Sequence, residues 1–463
     1  MGTTNKIYSK LPLCLQHSAI SIFGIYWHWL RFWGSYRSHL QGYKQRTHFT
    51  VEEWKDYQHE KLKQVLKICV NTVPYYRDHW SDQEKSAILD GDLNKLPLFE
   101  KDEIRRDPEA FCRDDLHPFP ILKHHTSGTT GTPIQSMWTV SEYRNTLALR
   151  EARSANWAGV SFKYPRATIS GRLVEPSPNR FNAVYRFNAI EKQVYFSAFH
   201  LKPETARNYI EALRKYDIQW LTGYAVSYYL LAKYILEQNI AVPSLQAVIT
   251  TSEKLTPEMR EIMEKAYGCP IFEEYSTVEN ALFASECEEG RLHVSPDVSI
   301  VEILKPDGSP CVPGEVGEVI STCLMRYYQP LIRFRLGDLA AWDPDPCPCG
   351  RQMPVIKEVV GRIEDVVTGP DGRQLVRFHG IFTDQPHIIE AQVIQESLQE
   401  FTIIVVPNEK FDLEDVEDIQ QRMKKRLGDE IRVKVKCVEK IERTKAGKFK
   451  AVISRITDRG FTN

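Results

Sequence analysis

The stretch that decides the fold is PETARNYIEALRKYDIQWLTGYAVSYYLLAKYILEQNIAVPSLQAVITTSEKLTPEMREIMEKAYGCPIFEEY, residues 203–275. Helical and strand patterns alternate through it, with short apolar runs at IQWLT, LQAVITT and IFEEY between amphipathic segments. This alternation predicts parallel strands joined by crossover helices. Ligands bind beyond the carboxyl ends of such strands, so EYSTVEN (274–280), which follows the last strand, marks a candidate site.

The regions on either side have other patterns. Residues 1–115 are predicted to be mainly helical, with Thr50 and Glu53 as a candidate capping box before a helix that stops ahead of Pro74. A further helix is predicted to open at Ser141. Strands and turns predict a β-rich subdomain over about 290–360, and a strand–helix–strand pattern predicts a small α+β domain.

The predicted fold class is therefore α/β. A large N-terminal domain over 1–364, with mixed and parallel sheets, is followed by the α+β domain over 365–463.

Composition limits the class of protein. The chain has 463 residues, which predicts two or three domains, and 42% hydrophobic with 26% charged residues is typical of a soluble globular protein. A formal net charge of −1 argues against a general nucleic-acid binder. Ten cysteines without a cleavable signal pattern indicate a reducing compartment, so we expect a cytoplasmic protein. Nothing in the sequence predicts the oligomeric state.

Residues 18–34, SAISIFGIYWHWLRFWG, form an apolar run that His28 and Arg31 interrupt. The uninterrupted part is shorter than the ~20 residues that span a bilayer. Its tryptophans and Arg31 would suit peripheral contact with a membrane interface. A helix packed on the main domain is the favoured interpretation.

The segment KHHTSGTTGTPIQ (123–135) is rich in glycine and hydroxyl groups. Glycine allows close backbone approach, and exposed N–H and hydroxyl groups suit phosphate oxygens. No Gly-Lys-Ser/Thr follows, so it is not a Walker A loop. Taken alone, such a segment is more often a structural turn.

Five further fragments follow this segment in order: TSEKLT (251–256), EYSTVE (274–279), FRLGD (334–338), GRIED (361–365) and RTKAGKFK (443–450). Together the six resemble the motifs of the adenylate-forming superfamily of acyl-coenzyme A synthetases. The resemblance is closest to the phenylacetate–coenzyme A ligase-like branch, including its capsule-biosynthesis (CapK-type) members, and covers about residues 50–460.

The resemblance implies ATP-dependent activation of a carboxylic acid. The carboxylate attacks the α-phosphate, pyrophosphate leaves, and an acceptor opens the acyl-adenylate. Such chemistry needs charge neutralisation and positioning more than a protein nucleophile. Two acceptors stay open: coenzyme A, or an amine or hydroxyl in polysaccharide or natural-product biosynthesis. A non-catalytic nucleotide- or acyl-binding homologue is the alternative.

The resemblance also assigns roles to residues. It implies that Tyr275 packs on adenine, Glu279 coordinates Mg²⁺, and Asp338 binds the ribose hydroxyls. Ser252 and Glu253 would border the nucleotide, or lie in a plain exposed turn. The residues that would cradle the β- and γ-phosphates are Thr126, Ser127, Gly128, Thr129, Thr130 and Gly131.

Three later residues would act together with a mobile C-terminal domain. Arg362 would lie near the phosphates, Glu364 would be the hinge, and Lys448 would bridge the acyl carboxylate and the α-phosphate. An isolated lysine is normally a solvated surface residue. For Lys448, the preceding RTKAG and the distance from the hinge favour the role in the family motif instead.

The chain departs from the family pattern at four positions. Ile134 stands where the superfamily has a lysine, and Glu364 where aspartate is usual. Ser276 and Val278 replace glycine and threonine. Val278 cannot donate a hydrogen bond, which leaves Thr277 as a substitute donor.

A second constellation contains Cys287, His293, Cys347 and Cys349. Three thiolates and an imidazole form a standard closed zinc site, so we predict structural Zn²⁺. Buried unpaired thiols are the alternative, and Cys269 or Cys311 could replace one ligand.

The sequence does not identify the carboxylic acid that would be activated. Trp220, Tyr224 and Tyr228 are candidates to line its pocket, although aromatic residues at helical spacing are more often core.

Overall fold

The protein is described by a computed structural model. It covers Tyr8 and residues 11–90, 92–125, 134–171, 174, 184–362, 367–370, 374–375, 379–382, 385, 387–443 and 449–456.

Twelve α-helices lie in these ranges. They are α1 Leu13–Phe32, α2 Tyr36–Arg46, α3 Val51–Thr72, α4 Pro74–His79, α5 Asp82–Asp90, α6 Lys101–Arg106, α7 Val140–Leu149, α8 Ala206–Lys215, α9 Ala225–Glu237, α10 Pro257–Tyr267, α11 His379–Phe382 and α12 Leu413–Leu427. A π-helical turn, Arg150–Ala155, continues α7. Short 3₁₀ turns cover Leu93–Lys95, Ala198–His200 and Pro203–Thr205.

Twenty strands accompany them in the same part of the chain. They are β1 Leu122–His125, β2 Gln135–Trp138, β3 Arg166–Ser170, β4 Tyr185–Asn188, β5 Gln193–Ser197, β6 Trp220–Tyr224, β7 Ala247–Thr251, β8 Ile271–Ser276, β9 Phe283–Glu286, β10 Leu292–Val294, β11 Ser299–Leu304, β12 Val316–Cys323, β13 Phe334–Trp342, β14 Val355–Arg362, β15 Val367–Thr368, β16 Gln374–Leu375, β17 Ile388–Gln395, β18 Glu400–Pro407, β19 Arg432–Cys437 and β20 Val452–Ser454.

Most strands belong to one large mixed sheet, with the order β11-β12-β13-β14-β10-β9-β8-β7-β6-β3-β5-β4. The chain divides into two compact units. The first contains 1–301, 320–335 and 343–356, and the second contains 302–319, 336–342 and 357–463. Strands β11 to β14 each pass from one unit to the other. The predicted α/β class is confirmed, while a boundary at 364 stays a prediction.

The first unit contains the parallel block predicted from residues 203–275. Strand β3 pairs in parallel with β5 and β6, β6 with β7, and β7 with β8. The connecting helices α8, α9 and α10 bury apolar side chains such as Tyr209, Leu231 and Met263 against these strands. The sheet therefore delivers the ends of β7 and β8 to the same edge.

Helix starts follow local capping rules. The Thr50 side chain accepts from the Glu53 N–H and Glu53 accepts from the Thr50 N–H, so the predicted capping box at α3 is confirmed. The predicted opening of a helix at Ser141 is wrong by two residues. Thr139 is the N-cap of α7, since its hydroxyl pairs with the N–H of Glu142 in a second capping box.

The π-helical turn after α7 directs charged side chains into the interior. Arg153 donates to Ser295 Oγ (2.8 Å) and forms a two-pronged pair with Asp297, and neither charged side chain has exposed area. Arg46 of α2 approaches the same carboxylate at 2.7 Å. Tyr43 lies beneath the Arg153 guanidinium, so one buried ion network joins the N-terminal helices to the residues before β11.

The second unit contains the predicted strand–helix–strand tail. Its sheet has the order β19-β18-β17-β20, in which β18 pairs with β17 antiparallel and with β19 in parallel. Helix α12 covers it, with Ile419, Met423 and Leu427 packed on Phe401 and Ile403. The Asp412 side chain caps α12 by accepting from the N–H groups of Glu414 and Asp415.

Helix α1 lies against the edge strand β4, as the favoured interpretation of residues 18–34 predicted. Gly24 permits the close approach, because a Cβ there would meet the Asn188 side chain at 2.4 Å. No helix within the described ranges is both long and apolar enough to cross a bilayer.

We predict that Asp297→Asn lowers the free energy of unfolding by about 3–5 kcal/mol, because the Arg153 charge would then be buried without a counter-charge. Urea denaturation would measure the change. The control is Asp114→Asn, whose carboxylate pairs with Arg77 at 2.7 Å on the surface and should matter by less than about 1 kcal/mol. Similar small effects of both substitutions would refute the role given to the network.

Candidate active site

The predicted phosphate loop is bracketed by a hairpin. Strands β1 and β2 pair antiparallel, with His125 opposite Gln135 at the loop end. Thr126 to Gly131 themselves lie outside the described residues. The hairpin nevertheless defines where the chain enters and leaves this segment.

A buried arginine ties the hairpin to the segment after β8. Arg326 has no exposed area, and its guanidinium donates to Ser136 Oγ (3.1 Å), the Met137 carbonyl (2.5 Å) and the Glu279 carbonyl (2.6 Å). Its charge also lies over the Trp138 ring, 4.3 Å from the centroid. Among the described carboxylates, none forms an ion pair with Arg326. The site therefore contains a buried positive charge that is not neutralised by these groups.

Two neighbouring side chains hold the segment that carries Arg326. Gln329 accepts from the Met137 N–H at 2.9 Å. The Glu142 carboxylate accepts from the N–H groups of Tyr327 (2.7 Å) and Tyr328 (2.8 Å) while it also caps α7. The hairpin, α7 and the segment at 326–329 therefore have a fixed geometry.

The segment after β8 forms a tight turn. The Thr277 carbonyl accepts from the Asn280 N–H (2.9 Å), and the Thr277 hydroxyl accepts from the Ala281 N–H (3.1 Å). The hydroxyl oxygen of Thr277 therefore stabilises the turn as an acceptor, and its O–H can still donate to another group. Val278 projects into solvent.

Glu279 of the same turn is 6% exposed. In the described part of the chain, no group donates a hydrogen bond to its carboxylate or pairs with it as an ion. A bound cation would stabilise a buried carboxylate of this kind. Its oxygen chemistry fits a Mg²⁺ ligand.

Tyr275 and Ser276 complete β8. Tyr275 is half-buried and lies opposite Ala284 in β9. Its neighbour Glu274 is buried and accepts from Arg150 Nε at 3.0 Å, while Ser276 Oγ donates weakly to Glu274 at 3.4 Å. The strand end is therefore anchored to the π-helical turn.

Ser252 and Glu253 follow β7 at the same edge of the sheet. Ser252 adopts φ of +71°, in the left-handed region. The Glu253 carboxylate accepts from the Val226 N–H at 2.9 Å, in the first turn of α9. This contact gives Glu253 a capping role at that helix, whether or not it borders a nucleotide.

The other predicted site residues belong to the second unit. Asp338 lies on β13 with 4% of its surface exposed, and β14 ends at Arg362. The Arg362 side chain, Glu364 and Lys448 lie outside the described residues. Their roles stay predictions.

The aromatic residues considered for the acid pocket differ in position. Trp220 is core and donates from Nε1 to the Ser161 carbonyl at 3.1 Å. Tyr228 is also core, with its hydroxyl bonded between the carbonyls of Ala167 (3.2 Å) and Thr222 (2.9 Å). Tyr224, half-buried at the start of α9, is the candidate that stays accessible.

The predicted metal ligands come together within the first unit. The ligand atoms of Cys287, His293, Cys347 and Cys349 all lie within 4.8 Å of one another. The Cys287 and Cys347 sulfurs are 3.6 Å apart, and Cys349 Sγ is 3.3 Å from His293 Nε2. Tetrahedral zinc, with Zn–S of about 2.3 Å and Zn–N of about 2.0 Å, separates such pairs by about 3.8 and 3.5 Å. Cys269 and Cys311 are not members of the cluster.

The surroundings of the cluster act differently on its four side chains, and they favour the ligating form of His293 and Cys349. Burial lowers the pKa of His293 to about 4, which leaves its imidazole neutral at pH 7. Burial raises the pKa of Cys287 to about 12 and also raises that of Cys347. Burial acts in the same direction on Cys349, but hydrogen bonds led by the Arg351 N–H outweigh it and lower the pKa.

The cluster lies away from the Glu279 turn. Strand β9 runs antiparallel to β8, with Phe283 opposite Ser276, and Cys287 follows four residues after Phe283. An extended strand rises about 3.3 Å per residue, which places Cys287 roughly 13 Å along the strand from that pairing. The cluster therefore suits a structural role.

Arg326 and Gln329 were not predicted from the sequence as site residues. Both residues lie in CLMRYYQPLIRFRLGD (323–338), a largely apolar and aromatic segment that polar residues interrupt, and this pattern could have indicated that they are buried. A residue that is polar and buried must find partners, but the sequence does not show where those partners are.

The chain resembles known proteins in its sequence and in its fold. Residues 370–455 match the family model described as the CapK C-terminal domain. The chain is 23% identical over 465 residues to Protein CapK of Staphylococcus aureus, covering 98% of this chain and 99% of that protein. It is 24% identical over 352 residues to phenylacetate-coenzyme A ligase of Thermus thermophilus, covering 68% of this chain and 72% of that one.

A solved structure shows the same fold. The crystal structure of 2-hydroxyisobutyryl-CoA ligase, in the postadenylation state in complex with R3-HIB-AMP, superposes with a TM-score of 0.70 at 19% identity, covering 90% of this chain and 92% of that chain. The resemblance predicted from the motifs is thereby confirmed: the chain is similar over nearly its whole length to Protein CapK and over about two thirds of it to a phenylacetate-coenzyme A ligase.

Proposed function

We propose that the protein is an adenylate-forming ligase that uses ATP and Mg²⁺ to convert a carboxylic acid into an acyl-adenylate, with release of pyrophosphate, and then transfers the acyl group to an acceptor, with release of AMP. The acid would attack the α-phosphate in line with the leaving pyrophosphate. The chain's task in this reaction is to hold the phosphates and offset their charge.

The observation that carries the proposal is the buried charge of Arg326. It lies behind the strand that leaves the predicted phosphate loop and beside the turn that carries Glu279. A guanidinium that the described carboxylates leave without an ion pair favours a bound anion, and phosphate groups supply one. Glu279, also buried without a paired cation in the described part, would accept the Mg²⁺ that accompanies them.

The remaining roles follow the family motifs. Tyr275 would pack on the adenine and Asp338 would accept from the ribose hydroxyls. Thr126 to Gly131 would surround the β- and γ-phosphates, with Arg362 nearby. Lys448 would neutralise charge between the acyl carboxylate and the α-phosphate, and rotation at Glu364 would exchange this lysine for the acceptor.

The acceptor is coenzyme A, or an amine or hydroxyl of a polysaccharide or natural-product precursor. The names of the phenylacetate-coenzyme A ligase relatives favour coenzyme A. The near full-length likeness to Protein CapK supports the capsule-type alternative. Mass spectrometry of products formed with each acceptor class distinguishes the two.

We predict that Lys448→Ala reduces acid-dependent exchange of pyrophosphate into ATP by about 10²-fold or more, because a charge that acts mainly in the transition state is removed. ATP affinity should change little. Lys440→Ala, an exposed lysine of the same region, serves as the control and should exchange at the wild-type rate. Wild-type exchange in the Lys448 variant would refute its assignment.

We predict that Arg326→Met raises the KM for ATP about tenfold or more, which corresponds to a loss of about 1.4 kcal/mol in binding. Arg326→Lys keeps the charge and should recover part of the affinity. Pyrophosphate exchange at varied ATP concentration measures both. The control is Arg77→Met, which removes an exposed guanidinium. If both Arg326 variants bind ATP as the wild type does, the charge has no part in phosphate binding.

We also propose that Cys287, His293, Cys347 and Cys349 hold one structural zinc ion. The three cysteines lie at two turns, which the hydrogen bonds from the Gly290 N–H to the Cys287 carbonyl (3.0 Å) and from the Gly350 N–H to the Cys347 carbonyl (3.2 Å) shape, and His293 lies on β10. Joining them would close a long loop of the unfolded chain, and metal binding would add directly to folding free energy.

We predict that Cys349→Ser lowers zinc content and reduces the melting temperature by about 5–10 °C, as expected for a loss of about 3 kcal/mol. The preference among acids should not change. Cys437→Ser, at an exposed cysteine of the second unit, is the matched control. Elemental analysis of untagged protein that was never exposed to chelator measures the zinc content. Less than about one zinc per ten chains would refute the proposed site and favour the alternative of buried, unpaired thiols.

A further inference from the structure

Four polar side chains of helix α1 contact the protein. The contacts are Arg186 Nε to Gln16 Oε1 (2.7 Å), the Phe187 N–H to His17 Nδ1 (2.9 Å), the Ala189 N–H to Ser21 Oγ (3.0 Å), and Arg31 to Glu191 (2.7 Å). These contacts lie at and after the edge strand β4. They fix which face of α1 points outward.

The outward face is mainly apolar and aromatic, with Ser18 and His28 as its exposed polar residues. Its large apolar side chains have 45% to 69% of their surface exposed and include Ile22, Phe23, Ile25, Tyr26 and Trp29, together with Trp33, which directly follows the helix. The four aromatic residues alone would expose roughly 400 Å², since each aromatic side chain presents about 150–250 Å² in all. That area falls within the range of functional patches on protein surfaces. A surface helix of a globular protein normally has the opposite arrangement.

The segment that carries this face has charges of one sign. Residues 1–50 contain six lysines and arginines and no aspartate or glutamate, and Arg31 and Arg46 of these six pair with the distant carboxylates of Glu191 and Asp297. Arg37 and Lys44 of α2 are exposed. Arg144 donates to the Leu30 carbonyl at 2.9 Å and lies 5.7 Å from the centre of the exposed Trp29 ring. An apolar, tryptophan-rich face with neighbouring cations is complementary to an anionic lipid surface.

We propose that the outer face of α1 binds the interface of a membrane that contains anionic lipids, with the helix lying in the membrane plane. The helix would insert its aromatic and aliphatic side chains among the acyl chains while nearby cations contact headgroups. A second copy of this chain fits the face less well, because symmetric pairing would bring the two basic segments together.

Co-sedimentation with vesicles tests the proposal. Wild-type protein is mixed with vesicles of phosphatidylcholine alone, or with about a third phosphatidylglycerol, at low salt and at about 0.5 M salt. We expect binding to the anionic vesicles that high salt weakens. The variant Ile22→Gln/Ile25→Gln/Trp33→Gln should bind them at least about tenfold less. The control Val312→Gln/Leu413→Gln changes two equally exposed apolar residues of the second unit and should bind as wild type does.

Three results would overturn the proposal. They are no sedimentation with anionic vesicles, equal binding to both lipid compositions, or a lipid-free dimer that the triple variant disrupts. Circular dichroism and thermal melting check that the variant folds. If it does not fold, quenching of wild-type tryptophan fluorescence by brominated anionic lipids decides: quenching supports insertion of the face, and its absence refutes it.

Discussion

The ion pair between Arg153 and Asp297 is the constraint on which the first unit depends. Both side chains are fully buried, so each charge would be costly without the other. Arg153 belongs to the π-helical turn, and Arg46 of α2 also contacts the Asp297 carboxylate. Because a planar guanidinium and a carboxylate match in one geometry, the network specifies how the helices meet the sheet.

The same network extends toward the metal cluster. Trp157, just after the π-helical turn, lies near Arg153 and also beneath the Arg351 guanidinium, 4.4 Å from its centre. The edge of this ring approaches His293. Arg351 in turn pairs with Glu288 at 2.8 Å. Aromatic and charged contacts thus connect the turns that carry the cysteines to the interior of the first unit.

The sequence predicted those features that depend on local patterns. The parallel strands at β6, β7 and β8 follow from apolar runs of strand length between amphipathic helices. The capping box at Thr50 follows from residue types three positions apart. The cysteine–histidine cluster could be predicted because only a few residue types bind zinc. A set of four such residues can be recognised from the sequence without knowledge of the fold.

Features that depend on distant contacts were not predictable in this way. The partners of Arg326 at Ser136 and Met137 lie about 190 residues earlier in the chain. Glu253 resembles a nucleotide-site residue in sequence, yet its carboxylate caps a helix that begins 28 residues before it. Ser141 and Thr139 are both good N-caps, and the choice between them depends on Glu142, which also serves the segment at 327–328.

The unequal acidities of the clustered thiols have a consequence for oxidation. Burial raises the pKa of the Cys287 thiol, which keeps it protonated at pH 7, and a protonated thiol reacts slowly with peroxides. Cys349 has the lowered pKa and is the more accessible sulfur. Oxidative damage to the metal-free cluster would therefore start at Cys349, and a metal ion bound there would shield that sulfur.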